Sequence, residues 1–232
     1  MRKFRIEEPV FDLFPDLKIA VLVFSNINNK RDFTEVEYEN IYHEIYEMIN
    51  KIGDSHPYIE DYRQSMKQII RKKGSAASID AMVKRLKKGG KLRPVNPVVD
   101  LYNFISLKHL FTCGGEDLDK LDGDMVLGFA KGDESFVALG EAENKSPRKG
   151  ELIYYDDQGA VVRSWLWREA DRTKITNESQ KVLLYLELVN ESRDEEFMNA
   201  IIELKNMVCE KLGGTITNEI LSRDNNECNI VN

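Results

Sequence analysis

Residues 94–124, PVNPVVDLYNFISLKHLFTCGGEDLDKLDGD, gather the polar groups most suited to chemistry: Asn96, Asp100, Asn103, Gly114, Gly115, Glu116, Asp117, Asp119 and Lys120. Amides and carboxylates hold polar ligands and water, and glycine lets a backbone N–H approach a ligand closely. The stretch contains no nucleophile with a base at matching spacing. Elsewhere His43, His56 and His109 share no ligand spacing, and the three cysteines Cys113, Cys209 and Cys228 are too scattered for a zinc site or a disulfide framework. No metal and no cofactor is therefore expected. Each residue also has a structural reading. Asn96 suits an N-cap, with Pro97 at the first helical position. Asp100 and Asn103 lie one turn apart and can tie a helix to a loop. Gly114–Gly115 suits a turn with positive φ, and Asp117, Asp119 and Lys120 suit an acidic turn with a local ion pair.

The elements that must position these groups are legible from periodicity. The pattern predicts a buried strand over 17–25 and helices over 35–52, 60–73, 97–110 and 195–212. Another helix follows Ser78, read as its N-cap. After residue 124 short segments rich in β-branched and aromatic residues, separated by Gly/Asp/Lys turns, predict strands: MVLGFA, SFVALGEA, ELIYYD, AVVRSWLW, KVLLYLELV and TITNEILS. In AVVRSWLW a continuous strand places Trp165 and Trp167 on one face. The tail over 223–232 is polar and expected to fray.

Composition narrows the class. The 232 residues carry a net charge of −7 with 42% hydrophobic and 31% charged residues, a globular balance. No apolar run reaches signal-peptide or membrane-spanning length, so a cytoplasmic protein without a membrane partner is expected. The charge is unevenly placed. Residues 63–93 hold 11 Lys/Arg against the single acid Asp80. Such a patch suits a polyanion, or is a pair of solvated helix faces.

Taken in order, Asn96, Val98, Val99, Asp100 and Asn103, then Asp117, Asp119, Lys120 and Gly123, resemble the editing domain of the phenylalanyl-tRNA synthetase beta subunit, formed by its third and fourth B modules. GELIYYDD and TKITNESQKVLLYLEL are similar to that family's turns before its last strands, so the likeness runs over about 78–188. The upstream VKRLKKGGKLRPVN and the short chain resemble free-standing bacterial relatives. The resemblance implies a mixed α/β (α+β) fold with a β-rich, sandwich-like core flanked by helices, in a single domain over 1–222 with the tail after it.

It further implies a pocket for the 3′ end of an aminoacyl-tRNA and a trans-acting deacylase that hydrolyses the ester of mischarged tRNA with a positioned water. Aminoacyl esters are activated, so no covalent nucleophile is required. In that reading Asp117 or Glu116 is the general base, and Asn96, Asp100, Asn103, Gly114 and Gly115 hold the substrate. Lys84, Arg85, Lys87, Lys88, Lys91 and Arg93 contact tRNA phosphates, and Trp165 or Trp167 either packs in the core or stacks on the terminal adenine. The alternative is a module that binds tRNA, other RNA or an amino acid without chemistry. A third is a structural partner of a synthetase or ribosomal factor. The chain also departs from the family. Gly114 stands where the family has histidine and Glu116 where it has phenylalanine, so a tyrosine preference does not carry over. A carboxylate at Glu116 is expected to favour a small polar side chain such as serine or threonine.

Overall fold

The computed structural model describes residues 1–30, 33–53 and 55–230. Two sheets face each other. The first is β10-β1-β4-β5-β6-β7, built from β1 (Lys3–Ile6), β4 (Met125–Phe129), β5 (Leu152–Asp156), β6 (Gly159–Arg163), β7 (Arg168–Glu169) and β10 (Glu227–Asn229). Its pairs are antiparallel except β1 with β4. The second is β3-β8-β2-β9, wholly antiparallel, from β2 (Lys18–Ser25), β3 (Thr112–Asp117), β8 (Lys181–Leu188) and β9 (Thr215–Leu221). Strands β2 and β8 are buried over nearly their whole length, which explains their near-continuous apolar sequences. Phe4 and Tyr154 of the first sheet meet Tyr185 of the second, with ring centroids 6.0 and 5.0 Å apart. The fold is the mixed α/β sandwich that the sequence leads one to expect.

Among the described residues six helices flank the sheets: α1 (Glu8–Leu13), α2 (Glu35–Lys51), α3 (Pro57–Lys67), α4 (Ser78–Lys87), α5 (Pro97–His109) and α6 (Asp194–Leu212). The Asn96 side chain caps α5 by accepting from Val99 N–H, with Pro97 at the start. A capping box between Thr34 and Glu37 opens α2. Phe111, just after α5, packs edge-on against Phe197 of α6.

Several sequence expectations are corrected. Helix α3 starts earlier and stops at Lys67, because Ile70 leaves the helix to bridge Glu151. Ser78 is not a cap: it lies inside α4, and its N–H donates to Leu166 O. SFVALGEA makes only isolated bridges, Val137 with Asn144 and Ala138 with Ala170. The segment expected to fray adds β10 to β1, with Ile230 N–H donating to Arg2 O at 2.9 Å. Gly114 and Gly115 are not in a turn but inside β3, without positive φ.

The strand expected through Trp167 ends at Arg163. Ser164 and Trp165 both take left-handed φ, 51° and 55°, a conformation that costs non-glycine residues energy. The surroundings hold it in place. Ser164 Oγ donates to Glu151 Oε1 (2.6 Å) and accepts from Lys72 N–H (3.0 Å), while Trp165 N–H donates to Leu152 O (2.7 Å). The two tryptophans therefore part: Trp165 is fully buried, whereas Trp167 is half-buried beneath the Lys72 ammonium.

Candidate functional site

A cleft of about 390 Å³ lies where α4 and α5 meet β3 and the turn after β6. Ser78 and Met82 of α4, Val95, and Tyr102 and Asn103 of α5 form one wall. Thr112 to Gly115 of β3 form the floor with Tyr185 and Glu187 of β8 and the buried Trp165 and Leu166, and Trp167 to Glu169 with Lys174 complete the rim. The glycines have a steric cause. A Cβ on Gly114 would sit 2.5 Å from the Tyr185 ring, and one on Gly115 would sit 2.5 Å from Leu184. The space left by the absent side chain at Gly114 is thus filled by Tyr185.

Two carboxylates give the cleft its chemistry. Glu187 accepts from Thr112 Oγ1 (2.9 Å), Trp165 Nε1 (2.9 Å) and the Tyr154 hydroxyl, and is 2% exposed. Burial pushes it up to about 7, against the pull of those hydrogen bonds. Glu169, half-buried at the rim, is also raised by burial to about 7, with Arg168 opposing. Groups tuned near neutrality in a cleft are suited to proton transfer. Neither was singled out from the sequence. The available signal was one acid inside the apolar run of residues 181–189. Cys113 lines the cleft, but burial and the nearby Glu187 push its thiol well above the ordinary range, which leaves it a poor nucleophile.

The residues proposed from sequence are divided. Asn103, Gly114 and Gly115 line this cleft. Asn96 and Asp100 line a second cleft, with Val95 shared between the two. Asn96 is occupied: Oδ1 accepts from Asn29 Nδ2 (3.1 Å) and Val99 N–H, while Nδ2 donates to Ile175 O. Glu116 lines neither cleft. It is fully buried, takes the Tyr185 hydroxyl at 3.1 Å, and is pushed well above the carboxylate range by burial and by Glu169. Asp117 lines neither cleft: Ser179 Oγ donates to it at 2.6 Å, Asp119 N–H at 3.1 Å, and Lys120 Nζ is 3.4 Å away.

Of the basic residues, Lys84 pairs with Asp80 (2.7 Å). Arg85, Lys88, Lys91 and Arg93 are exposed, and Lys87 is half-buried. They follow directly from the cleft wall, since α4 supplies Met82 and the next loop supplies Val95. Among the described residues no group of three His, Cys, Asp or Glu is placed to hold a metal ion, and no helix is long and apolar enough to cross a membrane.

Glu187 also makes stability depend on pH. Its folded pKa of about 7 exceeds the ordinary 4.5, so the folded protein binds this proton more tightly than the unfolded chain. The associated stability is fully present below about pH 4.5 and is lost as pH rises through 7. The span corresponds to roughly 3 kcal/mol. In urea titrations at pH 5 and pH 8, Glu187→Gln is expected to lose that portion of the wild-type difference. An unchanged pH difference would mean that Glu187 titrates normally.

The molecule is thus a mixed α/β sandwich with a cleft where α4 and α5 meet β3. The family model described as the B3/4 domain matches residues 61–213, well over half of the sequence, and the chain belongs to that family. The phenylalanine–tRNA ligase beta subunit of Fusobacterium nucleatum is 25% identical over 173 residues, covering 75% of this chain and 21% of the ligase subunit. That of Photorhabdus laumondii is 30% identical over 110 residues, covering 47% and 13%, and that of Leifsonia xyli is 35% identical over 80 residues, covering 34% and 9%. The chain thus spans about a fifth or less of these relatives. A crystal structure of an N-terminal fragment of the Pyrococcus horikoshii phenylalanyl-tRNA synthetase beta subunit aligns with 92% of this chain and 49% of its own, at 14% identity and a TM-score of 0.46.

Proposed function

We propose that the protein is a trans-acting aminoacyl-tRNA deacylase of the cytoplasm that hydrolyses the ester of mischarged tRNA in the first cleft. The observation that carries this reading is one of place. Every residue lining that cleft, from Ser78 to Glu187, falls within the 61–213 match to the B3/4 domain. The relatives are beta subunits of a tRNA ligase. The basic segment that continues from the cleft wall supplies a surface for the tRNA backbone.

In this reading Glu169 replaces Asp117 and Glu116 as general base. Its carboxylate takes a proton from water, and the water oxygen bonds to the ester carbonyl carbon. The tetrahedral intermediate then expels the ribose oxygen, which takes the proton back from Glu169. The Asn103 amide, which lines the same cleft, donates to the developing oxyanion in this reading. Glu187, held by Thr112, Trp165 and Tyr154, recognises a polar group of the aminoacyl moiety between the Tyr102, Trp165 and Tyr185 rings. Cys113 plays no covalent part.

Binding and chemistry are tested separately. Tight binding to tRNA is expected to weaken with salt at a log–log slope of about −0.7 per phosphate contact in single-stranded regions. Reversing Lys87 and Lys88 to glutamate is expected to weaken binding and to flatten that slope, with the circular dichroism unchanged. Unaltered affinity in the double variant would remove this segment from the interface. Ester loss from a panel of correctly and incorrectly charged tRNAs tests the chemistry. Binding without ester loss would make the protein a tRNA-binding module.

A further inference from the structure

The second cleft, of about 880 Å³, opens between α2 and the start of α5. Helix α2 lies outside the segment matched to the B3/4 domain. Tyr38, Tyr42 and Tyr46 line the cleft at spacings of four residues, and so share one face of α2. The Tyr38 and Tyr42 centroids are 4.6 Å apart, and those of Tyr42 and Tyr46 are 6.4 Å apart. Tyr42 is locked by its hydroxyl, which donates to Asp100 O at 2.9 Å.

Across from this ladder stands the Asp100 carboxylate. It is 6% exposed and its Oδ1 accepts from Val95 N–H at 3.1 Å. Among the described residues no cation is paired with it. Glu35 and Glu39 add two carboxylates to the lining, against Lys91 and His43. The helix start offers little to an anion, because Val98 N–H and Val99 N–H already donate to Asn29 and Asn96. A cleft lined by aromatic rings, with a desolvated carboxylate lacking a counterion among the described residues, favours positive charge over phosphate.

We propose that this second cleft binds an organic ammonium cation, with the ammonium group held between the tyrosine ladder and Asp100. The site is independent of the deacylase reading, since it shares only Val95 with the first cleft.

Isothermal titration of the full chain with choline, its uncharged isostere 3,3-dimethyl-1-butanol, and adenosine monophosphate tests the proposal. Choline is expected to bind about tenfold more tightly than the isostere, as charge–π attraction beside a carboxylate provides. Asp100→Asn keeps an oxygen for Val95 N–H while removing the charge, and is expected to lower choline affinity by about the same factor. Tyr38→Leu, which keeps apolar bulk, is expected to weaken choline and spare the isostere. Equal binding of choline and isostere, tighter binding of adenosine monophosphate, absence of choline binding, or indifference to both substitutions would overturn it.

Discussion

Replacing Glu169 by glutamine is expected to lower the rate of ester loss from mischarged tRNA by about 10²–10⁴-fold, the contribution of a positioned general base. Affinity for tRNA is expected to stay unchanged, because Glu169 sits in the cleft and not on the basic segment. The base acts only in its charged form, so the Glu169-dependent rate rises with pH and levels off above about 7, where this carboxyl loses its proton. Single-turnover rates of wild type and variant across pH 5 to 9 measure both effects. Cys113→Ser serves as the comparison and is expected to be nearly silent, since its thiol is buried and held protonated. A dead Cys113→Ser protein with a fully active Glu169→Gln protein would replace this mechanism by covalent catalysis.

Glu151→Ala is expected to cost about 3–5 kcal/mol of folding stability, because it leaves a buried guanidinium without its counterion. Glu151 is wholly buried and Arg163 is 7% exposed. One carboxyl oxygen takes Arg163 Nε at 2.9 Å, and the other takes Arg163 Nη2 at 3.2 Å and Arg148 N–H at 3.0 Å. The same carboxylate holds Ser164, and with it the left-handed pair that delivers the Trp165 indole to Glu187. The variant is therefore expected to show both a lower urea midpoint and a red-shifted tryptophan emission. By comparison, Glu141→Ala breaks only solvent-screened surface pairs, with Lys145 and Arg168, and is expected to leave the urea midpoint nearly unchanged. Equal effects of the two substitutions would show that the Glu151 network does not hold the turn.

Where local patterning decided the structure, the sequence was readable. Strands β2 and β8 announce themselves by apolar runs, and Asn96–Pro97 announces the start of α5. Strand β3 was obscured because paired glycines suggest a turn. Their cause is the Tyr185 ring and the Leu184 side chain, far along the chain on the partner strand. The end of β6 was obscured for a similar reason: Glu151, on another strand, holds Ser164 out of the extended conformation.

The candidate site was legible in its locality but not in its charges. Asn103 and the glycines face the cleft, whereas Glu116 and Asp117 use their carboxylates inside the fold. The tuned carboxylate Glu187 owes its setting to Trp165 and Tyr154, 22 and 33 residues away. Burial of that kind arises from tertiary packing and leaves little local trace beyond one acid in an apolar strand.

The most direct test of the central claim is the single-turnover loss of the aminoacyl ester, with protein in excess, across tRNAs carrying correct and incorrect amino acids. The account predicts accelerated loss from a mischarged subset, abolished in Glu169→Gln and retained in Cys113→Ser. Rates equal to those in buffer for every charged tRNA, in the presence of demonstrated tRNA binding, would contradict it.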